Sequence, residues 1–141
     1  MRIIDRNLDL IRRAGLIPTV VRAPTGDDPI GVLSFPAPDR FYAVFSDERD
    51  PHYARVTTGM GFGNHEAPDL AVLLHHANDL NRAFRFVRTV VDSPVRVEFV
   101  FDAVLENPDS IARVLEAAVP QLARVADDFF DRLYLPKGVL S

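Results

Sequence analysis

The chain has 141 residues, a formal net charge of −4, and hydrophobic and charged shares of 48% and 26%. That length buries one core without metal or disulfide help, and the charge offers no overall field to attract nucleic acid or an anionic membrane. Cysteine is absent, which excludes disulfides, thiolate nucleophiles and sulfur-ligated zinc or iron clusters.

In chain order, Ile4, Leu8 and Ile11 recur at helical spacing, and Gly15 followed by Pro18 stops the run, predicting a first helix over about 3–14. The segment MRIIDRNLDLIRR carries acids and no long apolar core, so it reads as neither signal peptide nor membrane anchor. The period then changes. TVVRA (19–23), IGVLSF (30–35), FYAVFS (41–46) and YARVTT (53–58) are β-branched and aromatic. Proline-, glycine- and aspartate-rich connectors separate them, predicting three or four antiparallel strands in a meander.

From Pro68 the helical period returns. Leu70, Leu73, Ala77, Leu80, Phe84 and Val87 form one apolar stripe, with Pro68 suited to the first turn. RFVRTVVD (85–92) and VRVEFVFDAV (95–104) flank Ser93-Pro94 and predict a hairpin with one buried and one wetter face. Asn107-Pro108-Asp109 then opens a terminal helix whose stripe runs Ile111, Leu115, Ala118, Leu122, Val125, Phe129 and Leu133. Pro120 lies inside it and is expected to kink or split it. The order α-β-β-β(-β)-α-β-β-α makes residues 1–141 one α+β domain with three helices on an antiparallel sheet.

Motifs for chemistry are weak. His75 and His76 are adjacent and diverge by about 100° on a helix, so they suit a metal poorly; His75 and Asp79, four apart, suit a surface pair. GMGFG (59–63) before NHEAPD lacks both dinucleotide and P-loop spacing and has no following lysine, so it reads as a flexible turn leaving a strand. Arg82, Arg85 and Arg88 with Phe84 and Phe86 straddle a helix–strand junction and form no continuous nucleic-acid face. No serine sits in a nucleophile elbow, and Asp127, Asp128 and Asp131 read as a solvated helix face. No cofactor or metal is expected.

One motif remains. LLHHANDLNRAFRFVRTVVD carries N-x-x-N, Asn78 and Asn81, at the end of a helix leading into the hairpin VRVEFVFDAV and the terminal helix. With the first helix closing at Gly15 and the strand meander, this pattern resembles the YbjN-like family of bacterial proteins across the chain. The resemblance implies an α+β fold like that of class I type III secretion chaperones, frequent homodimerisation, and a sensory-transduction regulator without defined catalysis. Read physically, an amide beside the buried stripe must be hydrogen-bonded, so Asn78 and Asn81 are expected to act structurally through backbone groups.

The expected function is a non-enzymatic, cytoplasmic, chaperone-like module that holds a protein partner, without nucleic acid or membrane. Val72, Val119, Phe130 and Tyr134, with the tail Val139-Leu140, are the apolar residues left over for its surface. The alternative is a small-ligand sensor or enzyme that uses Gly59–Glu66 with His65 and His76.

Overall fold

The computed structural model describes residues 1–63 and 68–134. Glycine and a distant carboxylate set the bounds of the first helix, α1 (Ile3–Arg13). No local side chain caps its N-terminus. Instead Glu48, far along the chain, accepts hydrogen bonds from the Ile3 and Ile4 amides at 2.9 and 3.2 Å, a favourable place for negative charge. At the other end Gly15 sits at φ +89°, and the bonds Gly15 N→Arg12 O and Leu16 N→Ile11 O form a Schellman closure.

Four strands follow: β1 (Thr19–Arg22), β2 (Ile30–Ala37), β3 (Arg40–Asp47) and β4 (Asp50–Gly61). Pro38-Asp39 joins β2 to β3, with Asp39 at φ 72° where a type II turn after proline needs a left-handed residue. β4 extends beyond the expected strand, because Gly59 and Gly61 pair with Glu98 and Arg96 of a later strand. The flexible turn read at GMGFG is therefore corrected: its first three residues are strand.

The second helix, α2 (Leu70–Ala83), starts after Pro68 rather than with it and stops before the end of the apolar stripe. Phe84 is already extended, and Val87 is buried outside any helix. The hairpin strands β5 (Arg88–Ser93) and β6 (Arg96–Val104) turn at Pro94-Val95. Asn107 Oδ1 accepts from Asp109 N at 2.9 Å to start a short 3₁₀ turn, which runs into α3 (Ile111–Tyr134).

Pro120 does not split α3. Glu116, Ala117 and Pro120 are all exposed, so the carbonyl deprived of its donor faces water. Gln121 Nε2 also donates to the Ala117 carbonyl at 3.0 Å, supporting the same turn.

The fold is α+β: a six-stranded antiparallel sheet, ordered β1-β2-β3-β4-β6-β5, with three helices. The hairpin inserts β6 beside β4 and leaves β5 outermost. All three helices contribute to a core shared with one sheet face, including Ile4, Ile11, Leu33, Val44, Val56, Leu80, Phe99, Leu122 and Phe129. Phe99 and Phe129 meet edge-on, ring centres 5.7 Å apart, and join sheet to α3. Phe129→Ala removes this fully buried ring and is expected to lower unfolding free energy by about 3–5 kcal/mol, measured by urea denaturation.

Candidate functional site

Alternation along each strand divides the sheet into a helix-covered face and an uncovered one. Cross-strand rows on the uncovered face are set by register: Ser34, Ala43, Thr57, Val100 and Arg88 form one, and Val32, Phe45, Arg55 and Asp102 the next. A third row carries Gly59, Glu98 and Val90, and Phe41 lies level with it, two residues beyond the Ala43↔Thr57 pair. All of these except Asp102 line a shallow depression of about 680 Å³.

Its two ends differ. Val32 and Val100 form a buried apolar floor, whereas Phe41 is 69% exposed and Val21 64% exposed at the β1–β3 side. Toward β5 and β6 the surface is ionic. Asp102 accepts from Arg55 Nε at 2.6 Å and from Arg88 Nη2 at 2.9 Å, so two guanidinium groups share one carboxylate. Burial alone would raise the Asp102 pKa, but the Arg55 hydrogen bond and the charges of both arginines hold it below the usual carboxylate range. Arg96 pairs with Glu98 at 2.6 Å and lies flat against Gly59. A side chain at Gly59 would meet Arg96 Nη2 at 2.6 Å and push the guanidinium away from its place against the backbone. The glycine reading from sequence missed this contact, because Arg96 lies far along the chain, on another strand.

The two edges of the sheet are also unlike. At β5, Asn81 Nδ2 donates to the Thr89 carbonyl at 3.0 Å and its Oδ1 accepts from the Thr89 amide at 2.7 Å. One side-chain amide thus substitutes for a further strand and closes that stretch of edge. Asn78 is exposed and makes no such bond among the described residues, so the N-x-x-N pair divides into one structural amide and one solvated residue. At β1, by contrast, all four residues are exposed, Val20 (46%) among them, and Ile17 (75%) adds apolar surface just before the strand.

The remaining expected surface residues are scattered. Val72 on α2 and Phe130 and Tyr134 on α3 are exposed, with the two α3 rings 4.6 Å apart, while Val119 is half-buried against the core. His65, Glu66, Val139 and Leu140 lie outside the described residues. His76 is far from a loop role: its ring stands edge-on to Phe129, centres 6.4 Å apart, between α2 and α3. His76 Nδ1 is buried with no partner among the described residues. His75 makes the expected contact with Asp79, at 3.4 Å, and Arg132 reaches both Asp79 and Asp128. No group of three metal-binding side chains occurs among the described residues. No helix among them is long and apolar enough to cross a membrane.

No family model, curated protein or solved structure matches this chain.

These contacts carry two expected outcomes. Asn81→Ala is expected to cost about 1–3 kcal/mol, since two backbone groups lose their partner, and to accelerate hydrogen exchange at the Thr89 amide. Asn78→Ala should change stability by less than about 0.5 kcal/mol and leave that exchange rate as it is. Burial, then the neighbouring charges of His75 and Arg132, lower the His76 pKa, opposed by Asp79. The unfolded chain therefore takes up this proton first, so stability falls as pH drops below about 6.5 until the folded pKa is passed. Urea denaturation across that window should show a flatter profile for His76→Gln than for the wild type.

Proposed function

We propose that this chain is a non-enzymatic, chaperone-like protein-interaction module that holds a segment of a partner protein. The observation that carries the reading is the bare β1 edge, with Val20 exposed on it and Ile17 just before it. An extended segment adds there through main-chain hydrogen bonds, with its apolar side chains resting on Ile17 and Val20. Closure of the opposite edge by Asn81 supports it, because that edge offers fewer free groups for the same kind of pairing.

The YbjN-like resemblance of the N-x-x-N helix and hairpin points the same way, toward a cytoplasmic sensory-transduction regulator with a type III secretion chaperone-like fold. The small-ligand alternative draws less support, since Gly59 and Gly61 belong to β4 and His76 packs on Phe129.

The test is quantitative affinity capture from native lysate with wild-type protein and with Val20→Arg, folding of both verified by circular dichroism. Proteins recovered by the wild type and depleted by Val20→Arg are expected. Equal recovery by the two would remove the β1 edge as the binding surface.

A further inference from the structure

We infer that the uncovered sheet face holds a small aromatic carboxylate, its ring lying flat across β3 and β4 and its anionic group meeting Arg55 and Arg88. The face is distinct from the β1 edge: a strand added at the edge extends the sheet in its plane, whereas this ligand lies on top of it. Small side chains make the floor of the depression. Ser34, Ala43 and Thr57 stand side by side there in one cross-strand row. Phe41 and Phe45 lie two residues to either side of Ala43 on the same strand, so they share its face roughly 13–14 Å apart. They wall a trough with room for one ring system between them. With small residues on a pleated floor the trough stays shallow, and a thin planar body fills it where a bulky one would project into water.

The Phe41 wall is anchored. The buried Thr58 donates its hydroxyl to the Phe41 carbonyl at 2.8 Å, just where the β3–β4 pairs end at Ala43↔Thr57. Phe41 is nevertheless among the most exposed large apolar residues, and a ring stacked beside it removes that surface from water. Charge orients the other end of the ligand. Arg55 and Arg88 approach from β4 and β5 and share Asp102, so the three groups carry one net positive charge. Asp102 takes up Arg55 Nε and Nη2 and Arg88 Nη2, and a guanidinium has five N–H donors, so both keep donors for a carboxylate. Glu98 is matched by Arg96, and Asp92 lies four residues along β5 from Arg88, roughly 13 Å away. An uncharged ring leaves the surplus charge unmatched, a cation is repelled by it, and a monoanion balances it. Mostly apolar walls with a few polar groups converging at one end are how small-molecule sites fix orientation.

Phenylacetate and phenylacetamide match in shape and heavy-atom count and differ in charge, so the pair separates the two halves of the site. Titration of the isotope-labelled full chain, followed by amide chemical shifts, is expected to give saturable phenylacetate binding in the millimolar range suited to so small a ligand. The largest shifts should fall at Ala43, Thr57 and Val100. Phenylacetamide should bind at least about fivefold more weakly, the scale of one exposed ion pair. Arg88→Met should weaken phenylacetate about as much and leave phenylacetamide as it is. Ala43→Leu, which raises the floor, should remove saturable phenylacetate binding, with both variants verified as folded by circular dichroism. Absence of saturable phenylacetate binding, equal affinity for the amide, or shifts centred away from the uncovered face would each overturn the inference. So would a folded Arg88→Met or Ala43→Leu chain that binds phenylacetate as the wild type does.

Discussion

Nine consecutive backbone pairs between β4 and β6, from Tyr53↔Val104 to Gly61↔Arg96, join two units that are otherwise local. The meander β1–β4 forms through short turns, and the β5–β6 hairpin forms through its own. Neither buries its apolar face alone. Their lateral union makes a sheet wide enough for α1, α2 and α3 to pack on one side, and Phe99 of β6 reaches Phe129 of α3 only because β6 lies in the interior of the sheet. The closure of a long loop containing α2 is the entropic cost of this arrangement, offset by hydrogen bonds along the whole β4–β6 ladder and by the shared core.

The same pairing determines what the uncovered face looks like. Because register fixes which residues stand side by side, Arg55 of β4 meets Asp102 of β6, and Arg88 of β5 reaches the same carboxylate from the other side. Gly59 has the opposite role in its row: it withholds a side chain so that Arg96 can lie against the backbone and reach Glu98. A shift by one residue would turn all of these into the core and bring Val56 and Phe99 out to water. The apolar face thus enforces the ionic one.

Signals that depend on near neighbours were legible in the sequence. Gly15 after an amphipathic run, Asn107 before proline and aspartate, and the turn-rich connectors between β-branched stretches each predict an element that the structure contains. What could not be read depends on residues far apart in sequence. Glu48 capping α1, Gly59 serving Arg96, and Asn7 buried on α1 in place of an apolar residue have no local pattern. Asn81 is an intermediate case. Its position beside the stripe implies a bonded amide, but Thr89 as its partner follows only once β5 is known to be an outer strand. The split allowed for at Pro120 does not occur, since a proline rule applied to sequence carries no knowledge of which helix face meets water.

The two ends of the sheet differ in the groups they leave open to solvent. β1 and β5 are separated by four intervening strands, roughly 24 Å at the usual strand spacing. At β1 the available groups are main-chain donors and acceptors flanked by aliphatic side chains, which suit an extended segment of little specific charge. At β5 the edge is closed over one stretch by Asn81, and the adjoining face carries ion pairs rather than free main-chain groups. Edge pairing extends the sheet in its own plane, whereas face stacking builds perpendicular to it.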